Sequence, residues 1–185
     1  MRASQFVRRM LLSIVTGLSL LVMPARVDAD AYDKFGEWSI VYVDAGSSNG
    51  CSAFTTFSDQ TVLQLALVQT PSQAAWAIFI SNEKWKSMFA ARAQVTLSLL
   101  TTKSWSSTFG VTTSAAGDKP VLVSLVPAAF IKSIADAQAL FVIGDTNEPL
   151  TGSFNMNDNG RAIAAVERCS REHPLTATPR PAPSG

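Results

Sequence analysis

Two aspartates are the residues best placed for catalysis. Asp44 opens the string Asp44-Ala45-Gly46-Ser47-Ser48-Asn49, and Asp145 with Thr146 follows the apolar run from Leu140 to Ile143. Brought together, two such carboxylates sharing one proton can activate a water for hydrolysis. Glycine, serine and asparagine after a strand are equally the residues of a hairpin turn, and the first string has that reading too. A second oxygen-rich string, Asn155-Met156-Asn157-Asp158-Asn159-Gly160, spaces its oxygens as a calcium loop does, with glycine sixth. Its first position is neutral and its twelfth falls on Val166 where a bidentate acid is needed, so it reads as a turn and a helix cap. Ser81-Asn82-Glu83-Lys84 has Ser-x-x-Lys spacing without the partner motifs that activate such a serine. A serine hydrolase would have to recruit His173, the single histidine, at the edge of a proline-rich tail where a side chain is ordinarily solvated. One histidine excludes a histidine-rich metal site, and there is no glycine-rich phosphate loop, so neither metal nor cofactor is expected.

The two cysteines, Cys51 and Cys169, lie far apart, outside any Cys-x-x-Cys arrangement. That spacing favours a structural disulfide over a redox or metal-binding pair. Closing so long a loop removes denatured-state entropy worth about 4.7 kcal/mol in the chain-entropy model. The large aromatics are the remaining resource. Trp38, Trp76, Trp85 and Trp105, with Phe54, Phe57, Phe79 and Phe109, supply a core. Trp85 and Trp105 stand among lysines and serines in less regular stretches, which makes them the pair expected to be exposed and the candidate binding aromatics.

The elements that must position these residues are mostly strands. From Gly36 to Thr113, β-branched and aromatic residues alternate with polar ones between short breaks. Trp38, Ile40 and Tyr42 share one face of the first strand. A second runs from Cys51 to Phe57, a third from Val62 to Val68, and Trp76, Ile78 and Ile80 mark a fourth. A helical turn over 83–91 precedes Val95, Leu97 and Leu99, and connections this short favour a meander. Later, Val121 to Val126 reads as a buried strand, and Pro127 opens a helix carrying Phe130, Ile131, Ile134 and Ala135. Strands follow at 139–143 and 150–156. A final helix, capped by a side chain among Asn157 to Asn159, places Ala162, Val166 and Cys169 on one stripe. The fold class expected is α+β, mostly antiparallel β in a sandwich or barrel-like meander, with two helices in the C-terminal half and one disulfide.

At the amino end a basic start (Arg2, Arg8, Arg9), an apolar run from Met10 to Met23 and small residues at Ala29 and Ala31 have the order of a signal peptide. The run is shorter than the roughly 20 residues that span a bilayer and is broken by Ser13, Thr16, Gly17 and Ser19. The expected organisation is a signal peptide over 1–31, cut after Ala29 or Ala31, one mostly-β domain over 32–173 and a disordered proline-rich tail over 174–185. General secretion fits better than twin-arginine export. An exported chain also suits the disulfide. With the leader removed no integral membrane segment is expected. The formal net charge of the whole chain is +1. Basic and acidic residues nearly cancel in the mature part, which argues against a nucleic-acid partner.

Two family resemblances attach to these residues. The Asp44 string is similar to the Asp-Thr-Gly-Ser-Ser loop of pepsin-like proteases, with Ala45 replacing the hydroxyl residue and Asn147 replacing the glycine of the second loop. More of the chain takes part in the other. Phe35-Gly36-Glu37-Trp38 ahead of an early Cys51, and the stretch from Phe130 through Phe141 and Phe154 to Ala165, resemble the invasion-associated locus B group of small exported alphaproteobacterial proteins. That resemblance implies a secreted or periplasmic non-enzymatic protein, in some members linked to host contact, and supplies no catalytic residues. The function expected is therefore an exported binding or interaction protein for a protein partner or a small apolar ligand. The alternatives are a carrier with an aromatic-lined sheet cavity and an aspartate-dependent hydrolase.

Overall fold

The computed structural model describes residues 29–44, 49–70, 72–85, 92–100, 104–113, 119–144 and 154–175. Strands dominate, as the alternation requires. β1 (Ala29–Phe35), β2 (Trp38–Asp44), β3 (Asn49–Thr56), β4 (Val62–Gln69) and β5 (Ala74–Ser81) follow one another as an antiparallel meander. β6 (Arg92–Leu99), β7 (Ser104–Thr113), β8 (Pro120–Val126), β9 (Ala139–Ile143) and β10 (Phe154–Asn155) complete a sheet of order β1-β2-β3-β4-β5-β8-β7-β6-β9-β10. Every pairing is antiparallel. The expected meander ends at β5. The neighbour of β5 is β8, and β6, β7 and β8 close on it as a Greek key.

The apolar runs of β4, β5 and β8 explain why these strands occupy the middle of the sheet. Side chains from both of their faces are buried, as continuous runs rather than strict alternation demand. On one face Ile40, Cys51, Ala53, Leu63, Leu65, Ile78, Ile80 and Leu122 are wholly buried in the main core. On the other, Ala66, Val68, Ala77, Phe79, Val121 and Val123 form a smaller cluster.

Two helices close the main core. α1 (Ala128–Ala135) starts after Pro127, whose carbonyl accepts from the Phe130 and Ile131 amides, and buries Phe130, Ile131, Ser133 and Ile134. α2 (Asn159–Glu172) lies across β1 to β4 and buries Ala162, Ile163, Ala165, Val166 and Cys169. The Cys51–Cys169 disulfide fastens this helix to β3 across a sequence separation of 118, with both cysteines fully buried. Among the described residues no helix is long and apolar enough to cross a membrane.

One strand is added to those expected, and two local expectations are corrected. β1 is an additional strand covering the expected cleavage positions, with Ala29, Asp30 and Ala31 opposite Val43, Tyr42 and Val41. α2 supplies partners for its side chains. Arg168 donates to Asp33 Oδ2 at 2.7 Å and to Tyr32 Oη at 3.1 Å, while the Tyr32 hydroxyl donates to Glu172 Oε2 at 2.6 Å. The Tyr32 hydrogen bond, and then Asp33, raise the Arg168 pKa above its ordinary value. At the start of α2, Asp158 takes the N-cap position in a left-handed conformation and forms no side-chain cap. Asn159 instead uses Nδ2 to donate to the Ile134 and Ala137 carbonyls at the end of α1, so it closes the other helix. The helical stretch expected over 83–91 is a 3-10 turn at Glu83–Trp85, and residues 86–91 lie outside the described residues.

Candidate functional site

Three segments distant in sequence meet at one end of the sheet. They are the β1–β2 turn at Gly36 and Glu37, the end of β3 with its turn at Thr55 to Asp59, and the connection from β10 into α2 at Phe154 to Asp158. Between them lies a groove of about 600 Å³. Each wall has a local cause.

Gly36 has φ +55, which glycine adopts without a Cβ penalty. A Cβ there would stand 2.7 Å from Asp158 Oδ2. The next wall hangs on Trp38, which is 1% exposed. Its indole Nε1 donates to the Asn157 carbonyl at 3.1 Å, tying the β1–β2 hairpin to the α2 entry. Phe57 stacks on Phe154 with ring centroids 4.0 Å apart and planes 8° from parallel, an apolar wall joining the β3 turn to β10.

The β3–β4 turn is held from below. Phe57 and Thr61 close it through the backbone, Asp59 Oδ1 accepts from the Thr61 amide at 2.9 Å, and buried Asn82 donates to Thr61 Oγ1 at 2.7 Å and to the Asp59 carbonyl at 3.3 Å. Asn82 Oδ1 also accepts from the Lys84 amide, so the same side chain fixes the 3-10 turn. The ionisable residues lining the groove are Glu37, Asp59 and Asp158. Asp158 Oδ1 pairs with Arg161 at 3.2 Å, and the Arg161 guanidinium lies 4.6 Å from the centre of the Phe35 ring.

The expected site residues are placed as follows. Trp85 is 2% exposed, which overturns its expected exposure. Its flanking lysines suggested a surface patch, but a 3-10 turn aims consecutive side chains in different directions, and Lys84 points out while Trp85 enters the core. Trp105 is half-buried rather than free, packed edge-on against Phe109 and beside Phe130 of α1. Its serine neighbours Ser104 and Ser106 are the exposed, alternate positions of β7. His173 is stacked on Tyr42 with centroids 4.1 Å apart, not merely solvated. Asp44 ends β2 opposite Asn49, while its side chain and Asp145 lie outside the described residues. Asn155 Oδ1 accepts from the Asn157 amide, Asn159 Oδ1 from the Gly160 amide and Asp158 Oδ1 from Arg161, so these oxygens of the calcium-like string are engaged locally. Among the described residues no three metal-binding side chains converge.

Sequence reasoning singled out Gly36, Glu37, Trp38 and Phe154 without joining them to Phe57 and Asp59. Nothing in a pair of phenylalanines so far apart signals a stack; only the β9–β10 return brings Phe154 to the β3 turn.

No protein-family model matches the sequence, and no curated protein matches it. In fold the chain is similar to the crystal structure of invasion associated protein B from Bartonella henselae, with a TM-score of 0.55, 13% identity, and coverage of 76% of this chain and 97% of that one. At this identity the likeness is one of fold, and function has to be argued from the site.

Proposed function

We propose that this is an exported, non-enzymatic binding protein whose interaction site is the groove between Gly36, Phe57 and Asp158. The groove itself carries the reading. Its walls come from three separate segments pinned by the Trp38–Asn157 hydrogen bond and the Phe57–Phe154 stack, which is the rigid support a recognition surface needs. Its size falls in the range of ligand sites, roughly 300–1,000 Å³. The buried disulfide supports an oxidising destination, periplasm or medium. The fold neighbour is an invasion associated protein, and contact with a host cell is accordingly the setting proposed here.

Site-specific photo-cross-linking tests the proposal. A photoreactive side chain at Ser58, in the groove, is compared in the producing cell and on exposed host cells with one at Lys132, on the outer face of α1. A discrete adduct from Ser58 and none from Lys132 supports the groove as the binding face. Equal labelling from both positions, or none from Ser58, contradicts it.

A further inference from the structure

We propose that the groove takes a lysine- or arginine-bearing segment of a partner protein, an inference that rests on the groove being the binding face. Among the described residues its lining carries Glu37, Asp59 and Asp158, the last paired with Arg161 at the edge, and no basic side chain. Charge of one sign in a concave site selects the opposite sign in its occupant. The occupant is an extended cation rather than a metal ion, because among the described residues these carboxylates do not converge on one point with any third ligand. The half-buried Phe57 ring, backed by the buried Phe154, offers an apolar surface to the methylene stem of lysine or the plane of a guanidinium. Thr55, Thr56, Asn155 and Asn157 add polar groups around them.

The protein already uses this recognition at the groove's edge. Arg161 holds one nitrogen 3.2 Å from Asp158 Oδ1 while its guanidinium covers the Phe35 ring at 4.6 Å. Arg168 repeats the pattern on Asp33 and Tyr32. A carboxylate beside an aromatic ring is thus the local means of holding a guanidinium, and in the groove Glu37 and Asp59 with Phe57 present the same two components, with no basic side chain among the described lining residues.

The test is fluorescence anisotropy of a labelled peptide alternating arginine and serine, titrated with the intact oxidised protein, with a glutamate–serine peptide as control. Glu37→Gln is expected to weaken binding about threefold, and the triple variant Glu37→Gln, Asp59→Asn, Asp158→Asn about tenfold or more. The amides preserve shape: Asp59→Asn keeps an oxygen acceptor for the Thr61 amide, and asparagine tolerates the left-handed conformation at position 158. Matching urea midpoints establish that the variants are folded. Glu167→Gln, on the exposed face of α2, leaves binding unchanged. Failure of the arginine peptide to bind, equal binding of the glutamate peptide, or an equal loss in Glu167→Gln overturns the inference. A groove adduct from Ser58 together with no peptide binding removes only the cationic occupant. Peptide binding abolished by the triple variant, without any Ser58 adduct in cells, supports the groove's chemistry and removes the cellular role.

Discussion

Gly36→Ala probes the geometry on which the groove depends. Gly36 has φ +55, where an L-residue loses about 1–2 kcal/mol to contact between its Cβ and the backbone. The added Cβ would also stand 2.7 Å from Asp158 Oδ2, inside any real contact distance. That second effect is the smaller, because a carboxylate at the end of a side chain can rotate away. Rotation gives up the Asp158–Arg161 pair, whose side chains are 33% and 68% exposed, and such pairs contribute at most about 1 kcal/mol. Backbone strain therefore dominates. Urea unfolding followed by tryptophan fluorescence should show Gly36→Ala destabilised by about 1–2 kcal/mol. The same substitution in an Asp158→Gly background should cost nearly as much, with a coupling below about 0.5 kcal/mol. A cost that vanishes in that background would show that the carboxylate clash, not the left-handed backbone, demands glycine. A Gly36→Ala protein as stable as the parent would refute both.

Other perturbations test the supports of the fold. Asn159→Ala leaves the Ala137 carbonyl without its side-chain donor, while the Ile134 carbonyl keeps the Ala137 amide, and should cost about 1–3 kcal/mol in urea unfolding. Faster amide exchange at the end of α1 should accompany it. Replacing Cys51 and Cys169 together by alanine releases a closed loop spanning 118 positions and should lower stability by about 3–5 kcal/mol, with dithiothreitol treatment of the parent giving a loss of similar size. Trp85→Ala should destabilise by about 3–5 kcal/mol, since a fully buried indole is lost, whereas Lys84→Ala beside it should change the urea midpoint little. Equal, small effects of these two substitutions would restore Trp85 to the surface.

Most of the sheet was legible in the sequence because its signals are local. Val95, Leu97 and Leu99 alternate with polar residues whatever lies across the core, and Pro127 marks the start of α1 from its own geometry. The helix stripe through Ala162, Val166 and Cys169 was equally visible, and with it the disulfide. What failed depended on partners elsewhere in the chain. β1 went unread as a strand because the partners that engage Asp33 and Tyr32 are Arg168 and Glu172 of α2, far along the chain. Trp85 was misread because sequence neighbours stand in for surroundings, and a 3-10 turn separates them. Asn159 had the composition of an N-cap, yet it is the first residue inside the helix and its Nδ2 donates to the Ile134 and Ala137 carbonyls. The groove was legible only in fragments: the Gly36-Glu37-Trp38 string stood out, whereas its joining to Phe57 and Phe154 required the strand order, which alternation does not encode.

The most direct test of the groove as the binding face is hydrogen–deuterium exchange of the intact protein with and without the partner captured from Ser58. Protection confined to residues 35–38, 55–59 and 154–158 is the predicted result, because only binding in the groove covers those three segments at once. Protection elsewhere, with these segments exchanging as in the free protein, would contradict it.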